Sequence, residues 1–172
     1  LSTIMGGTDN KVTWGKANTI GAGIENYIES SSISTIFGGL QNTILSSENA
    51  NIVAGNQNYI SGSNDSVIIG GKNNVISSSK ERDNANSLIG TGRNNAILDS
   101  DNSTIVGGEA CHISSSETSF IGGGYYNQIS GSGRSLIVGG MSNNIWDNNT
   151  PGAYMYNSIV GGQRNVIWRG YR

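Results

Sequence analysis

Branched apolar residues recur at two fixed places in a unit that repeats along the whole chain. The stretch from Ser66 to Ile76, SVIIGGKNNVI, shows the unit, and ten copies begin at Ser2, Asn18, Ser34, Ala50, Ser66, Ser87, Ser103, Ser119, Ser135 and Asn157. The step is 16 residues except from Ser66 to Ser87, where it is 21, and from Ser135 to Asn157, where it is 22. Position three is Ile in every copy, from Ile4 to Ile159, and position eleven is Ile in nine copies and Val12 in the first. A fixed period of this length marks a repeat architecture in which each unit is one coil.

The polar positions predict how a coil is built. Position six is Gly in all ten copies, position five is Gly except at Ala22, Ala54 and Thr91, and position nine is Asn except at Cys111. The unit reads as short strand, Gly-Gly-x-x-Asn turn, short strand, then a return of about five residues rich in Ser, Gly and Asn. Gly supplies positive φ, and Asn at position nine is expected to take the left-handed conformation as the next most tolerant residue. Two strands per coil, stacked in register with Ile pointing inward, give an all-β parallel β-solenoid, or β-roll, of ten 16-residue coils forming one domain.

Charge adds a second layer to the pattern. The 10 Lys and Arg and the 12 Asp and Glu all lie outside positions one to six. Position four, which faces away from the interior if position three faces in, holds Met5, Phe37, Val53, Ile69, Val106, Val138 and Val160, with Gly21, Gly90 and Gly122 in the other copies. Position two shares that face and includes Val67, Leu88, Phe120 and Leu136. Alternation of this kind predicts a first sheet buried on both faces. A thin roll cannot cover the outer face itself, so the expectation is a parallel homotrimer with Phe37, Val53, Ile69, Val106, Val138 and Val160 lining its axis. Position ten is mixed, with Lys11, Tyr27, Thr43, His112 and Gln128, and reads as a solvent face.

With 26 Gly, one Pro and 13% charged residues, the composition resembles a low-complexity linker. The strict Ile spacing argues against disorder, which has no reason to place a branched apolar residue periodically. No apolar run approaches the ~18 residues of a membrane span, so no membrane insertion is expected. A net charge of −2 gives no basic face for nucleic acid, and one Cys excludes an intrachain disulfide framework. The chain starts within a coil, LSTIMGG, without an initiator Met or a signal-peptide pattern, and is expected to be a fragment of a longer protein.

The S-x-I-x-G-G pattern resembles the repeat of YadA-like head domains of trimeric autotransporter adhesins, and is similar to Ile-Gly-Gly-Asn repeats of viral and phage fibre proteins. The resemblance covers all ten coils. It implies a trimer of left-handed parallel β-rolls with the first strand toward the threefold axis, a place at the virion or cell surface, and attachment to host surfaces. The usual head repeat is nearer 14 residues, whereas this one has 16 with a Gly pair followed by an Asn.

The two longer steps mark insertions near 82–86 and 151–156, in the returns SSSKERDNAN and WDNNTPGAYMY. Because the roll is repetitive, recognition is expected from what breaks it. The second return offers Trp146, Asn148, Asn149, Tyr154 and Tyr156, aromatic surface beside amides suited to a glycan. Tyr125 and Tyr126 are a further candidate contact in a Gly-rich turn. Trp14, Trp146 and Trp168 are placed in returns, where packing between neighbouring rolls is an equal reading.

Catalytic readings find little support. His112 is the only His, which leaves no His-based metal site or triad within one chain, and it reads as an exposed strand residue. Cys111 reads as a small residue filling a turn. Asp99 and Asp101 read as a solvated turn, since a general acid/base pair needs a cleft and a raised pKa. No phosphate loop or calcium-binding nonapeptide occurs. No cofactor is expected. The expected function is therefore a non-enzymatic structural and attachment module, a fibre, stalk or head segment that presents loops to a host-surface receptor or glycan. The alternatives are a polysaccharide-degrading tailspike-type solenoid, which needs carboxylates lining a groove, and a spacer without a ligand. An ice-binding solenoid wants a regular Thr array, and Thr occupies position two in four coils only.

Overall fold

The computed structural model describes residues 1–79, 86–147 and 156–169, with the Arg169 side chain excepted. The described residues are all-β and wind into a parallel β-solenoid. Two ten-stranded sheets run its length, the first made of the position-three strands from Thr3–Ile4 to Ser158–Ile159, the second of the position-eleven strands from Lys11–Lys16 to Val166–Arg169. Successive coils pair in strict register, as in Ile52 with Ile68 and Ile44 with Ile60. At a strand spacing of ~4.8 Å, nine steps from first to last strand make a rod about 43 Å long.

Both long steps leave the stack intact. Leu88 pairs with Val67 and Ala96 with Val75 across the first insertion, and Ser158 pairs with Leu136 and Val166 with Asn144 across the second. The inserted segments themselves, with Asn148, Asn149 and Tyr154, lie outside the described residues.

The core is two Ile ladders facing each other. From Ile20 to Ile145 the inward Ile side chains are essentially inaccessible to solvent. Each fully buried Ile contributes about 1.5–3 kcal/mol. Short strands follow from sharp corners. Non-glycine residues adopt the left-handed region at positions eight, thirteen and sixteen, as Gln57, Ser46 and Asn49 show, and position-six Gly has φ between 89° and 114°. A Cβ on Gly71 would overlap the carbonyl oxygen of Gly92 in the next coil, so this corner accepts no side chain.

The role expected of the Asn residues is corrected here. Position eight, not position nine, carries the left-handed conformation. Asn42, Asn58, Asn74, Asn95, Asn127 and Asn143 are fully buried, with side chains turned inward. The Nδ2 of Asn74 donates to Gly70 O and to Gly92 O, each at 3.0 Å, and its Oδ1 accepts the N–H of Asn95 at 3.0 Å. Repeated coil after coil, this arrangement staples each Gly turn to the next. At the opposite end of the coil a Ser ladder does the same, with Ser47 N–H to Ser31 Oγ at 3.2 Å and Ser63 N–H to Ser47 Oγ at 3.1 Å. Buried polar groups satisfied this fully supply the register that apolar packing alone leaves loose.

The outer face of the first sheet is uncovered within one chain: Phe37, Val53, Ile69, Val106, Val138 and Val160 are 40% to 75% exposed.

Candidate functional site

Three surfaces differ from the repeating background. The first is the outer face of the first sheet. Position-four backbones hydrogen-bond in register, with Val53 N–H to Ile68 O and Val106 N–H to Ile121 O at 3.0 Å, so their side chains form one straight row. Gly21, Gly90 and Gly122 notch the row, and a Cβ at each would overlap the carbonyl oxygen of Phe37, Val106 or Val138 in the following coil. The row is apolar, uncharged and exposed along the whole rod.

The second surface lies at coil eight. Tyr125 occupies position seven and Tyr126 the left-handed position eight, at φ 55°. Their rings meet edge to face, with centroids 4.3 Å apart and planes at 89°. Position seven bridges from coil to coil, which sets Arg93, Glu109, Tyr125 and Met141 in one row. Arg93 Nη2 and Glu109 Oε2 form an ion pair at 2.9 Å, both partly exposed. A hydrogen bond to Tyr126, then burial, hold the Tyr125 phenol above its ordinary pKa. The hydrogen bond to Glu109 likewise raises that of Arg93. The pair was legible in principle: opposite charges 16 residues apart at one repeat position become neighbours in a register-true stack.

The third surface surrounds the second insertion. Trp146 and Trp168 are not in returns but in the second sheet, register partners in consecutive coils and both exposed. Tyr156 is held by Arg134, whose Nη1 donates to the phenol oxygen at 3.0 Å while the guanidinium sits 5.7 Å from the ring centroid. Trp146 and Tyr156 thus bracket the insertion, while Asn148, Asn149 and Tyr154 lie outside the described residues. Trp14 likewise lies within a second-sheet strand, Lys11–Lys16, at an exposed residue with left-handed backbone.

The remaining singled-out residues fall into structural roles. Cys111 is buried in the Asn ladder, its Sγ 3.7 Å from Gly124 O, and burial pushes its pKa up. His112 is half-buried rather than exposed, paired in register between Ala96 and Gln128, and burial lowers its pKa. Asp99 caps a corner by accepting from Ser79 N–H and Oγ at 2.6 and 2.8 Å. Among the described residues no three His, Cys, Asp or Glu side chains come together to hold a metal ion. No protein-family model matches the chain, and no curated protein matches it.

Proposed function

We propose that the chain is a non-enzymatic structural and attachment module: a rigid segment of a viral or phage fibre, or of a bacterial surface adhesin, that works as a parallel homotrimer and carries recognition on its outer surfaces. The observation that carries this reading is the exposed row of Met5, Phe37, Val53, Ile69, Val106, Val138 and Val160. Contiguous exposed apolar surface of this extent marks an association surface, and every charge of the chain has been kept out of the strands that bear it. Position two flanks the row on the same face, half-buried in most coils and exposed at Phe120. A closed cyclic assembly around an axis parallel to the rod would cover this face in every copy. The resemblance of the S-x-I-x-G-G unit to trimeric head repeats supports the same arrangement.

Multi-angle light scattering during size-exclusion chromatography tests it. The expected mass is three chains, and Val106→Asp is expected to give a smaller species by placing carboxylates near the axis without partners. A well-folded monomer of the unaltered chain overturns the assembly. The enzymatic alternative, a polysaccharide-degrading tailspike, predicts release of reducing ends from capsular or lipopolysaccharide glycans. The spacer alternative predicts assembly with no binding.

A further inference from the structure

We infer that coil eight carries a binding platform for a neutral glycan, formed by the Tyr125–Tyr126 pair together with the Arg93–Glu109 ion pair. This rests on the attachment half of the reading above and is independent of the assembly half.

The first argument is the break in pattern. At positions seven and eight the other nine coils carry no aromatic residue, so Tyr125 and Tyr126 make this site unlike its equivalents without any insertion. Position eight holds a left-handed backbone, which disfavours a bulky side chain and suits Asn, as at Asn73 and Asn94. An aromatic kept at such a position, more than half exposed, gains nothing from core burial.

The second argument is shape. The residues above and below Tyr126 at position eight are Ala110 and Ser142, too small to cover its ring. With planes at 89°, the two tyrosines form an angled corner. A pyranose ring can lay its C–H face on one ring while a hydroxyl meets the other phenol. Amphipathic aromatics of this kind combine a large apolar face with a polar tip.

The third argument is the chemistry beside the corner. Glu109 is the register neighbour of Tyr125, and Arg93 the neighbour of Glu109. Two steps of ~4.8 Å make a strip about 10 Å long on which a chain of sugars can run along the rod. The carboxylate offers acceptors and the guanidinium donors, the combination that vicinal hydroxyls require. Their charges cancel, and the next cation on that row, Lys72, lies a further coil away. The site therefore favours neutral over anionic sugars.

The test uses the full chain and saturation-transfer NMR with cellohexaose, chitohexaose and mannohexaose, and with sialyllactose as the anionic comparator. At least one neutral oligosaccharide is expected to bind, with its affinity reduced at least about tenfold by Tyr126→Asn, a substitution that suits the left-handed backbone. Gln57→Asn, at the same left-handed position four coils away, is expected to leave binding unchanged. Binding of none of the three neutral probes, binding of sialyllactose alone, or unchanged affinity in Tyr126→Asn overturns the inference. Light scattering on the same samples separates the two readings: a monomer that binds overturns only the assembly, and a trimer that binds none of the neutral probes overturns only this site.

Discussion

The backbone N–H of Asn95 donates to the side-chain oxygen of Asn74 at 3.0 Å, although 21 residues separate them where 16 separate every other neighbouring pair of the ladder up to Asn143. The register between these two coils is therefore kept across the insertion.

Removing residues 81–85 restores the 16-residue step. Because the paired strands and the Asn ladder continue across the insertion, this deletion is expected to change stability by less than about 1 kcal/mol, loop length being a weak thermodynamic variable. Urea unfolding of the two chains checks it. A large loss of cooperativity would mean that the inserted residues hold coils five and six together.

Asn74→Ala should be costly. It removes two donated hydrogen bonds and leaves the Asn95 N–H without its acceptor inside the roll. A buried group left unsatisfied costs about 1–3 kcal/mol, so a loss of at least about 2 kcal/mol is expected. Surface Asn73→Ala serves as the comparison in the same thermal melt.

Cys111→Asn works in the opposite direction. The thiol makes only a long contact, of 3.7 Å, to Gly124 O, the next-coil carbonyl that an Asn would reach, and the Asn95 oxygen already receives the N–H of residue 111. Completing the ladder is expected to stabilise the protein by about 1–2 kcal/mol. An unchanged or lower Tm would show that the site has closed around sulfur.

Ile33 sits at φ 54° with its side chain 56% exposed. A β-branched residue in that region is strained, and Asn49 occupies the equivalent corner one coil on. Ile33→Asn is expected to gain roughly 1 kcal/mol, read as a raised denaturation midpoint with an unchanged m-value.

His112 gives a pH dependence. Burial lowers its pKa in the folded state, so between the folded and unfolded values the unfolded chain binds more protons. Stability is full above the unfolded value of about 6.5 and falls as pH drops from there toward the folded value. Melting temperatures of the wild type and His112→Gln should converge above pH 7.5 and separate below pH 6, with the wild type losing more. Parallel curves would assign the acid loss to carboxylates.

The sequence by itself determined the coil: its period, the inward Ile at positions three and eleven, the Gly corner, and the uncharged outer strip. Those are properties of single positions repeated ten times, and periodicity states them directly. It also carried a clue that went further than the turn reading drawn from it. A corner that needs only left-handed tolerance accepts variety, as Asp9, Gln57 and Asn73 do at position eight, whereas Asn at nine of ten position-nine sites marks a demand on the side chain. What that demand was, only the tertiary structure decided, because the acceptors are Gly carbonyls of the same coil and the next, and the offset between coils is set by sheet register. The same register joined Arg93 to Glu109 and Trp146 to Trp168, and carried the stack past both insertions. The exposure of Phe37, Val106 and Val160 was likewise decided by the closed path of the coil, since alternation along a strand says which residues point outward and not whether anything in the same chain covers them.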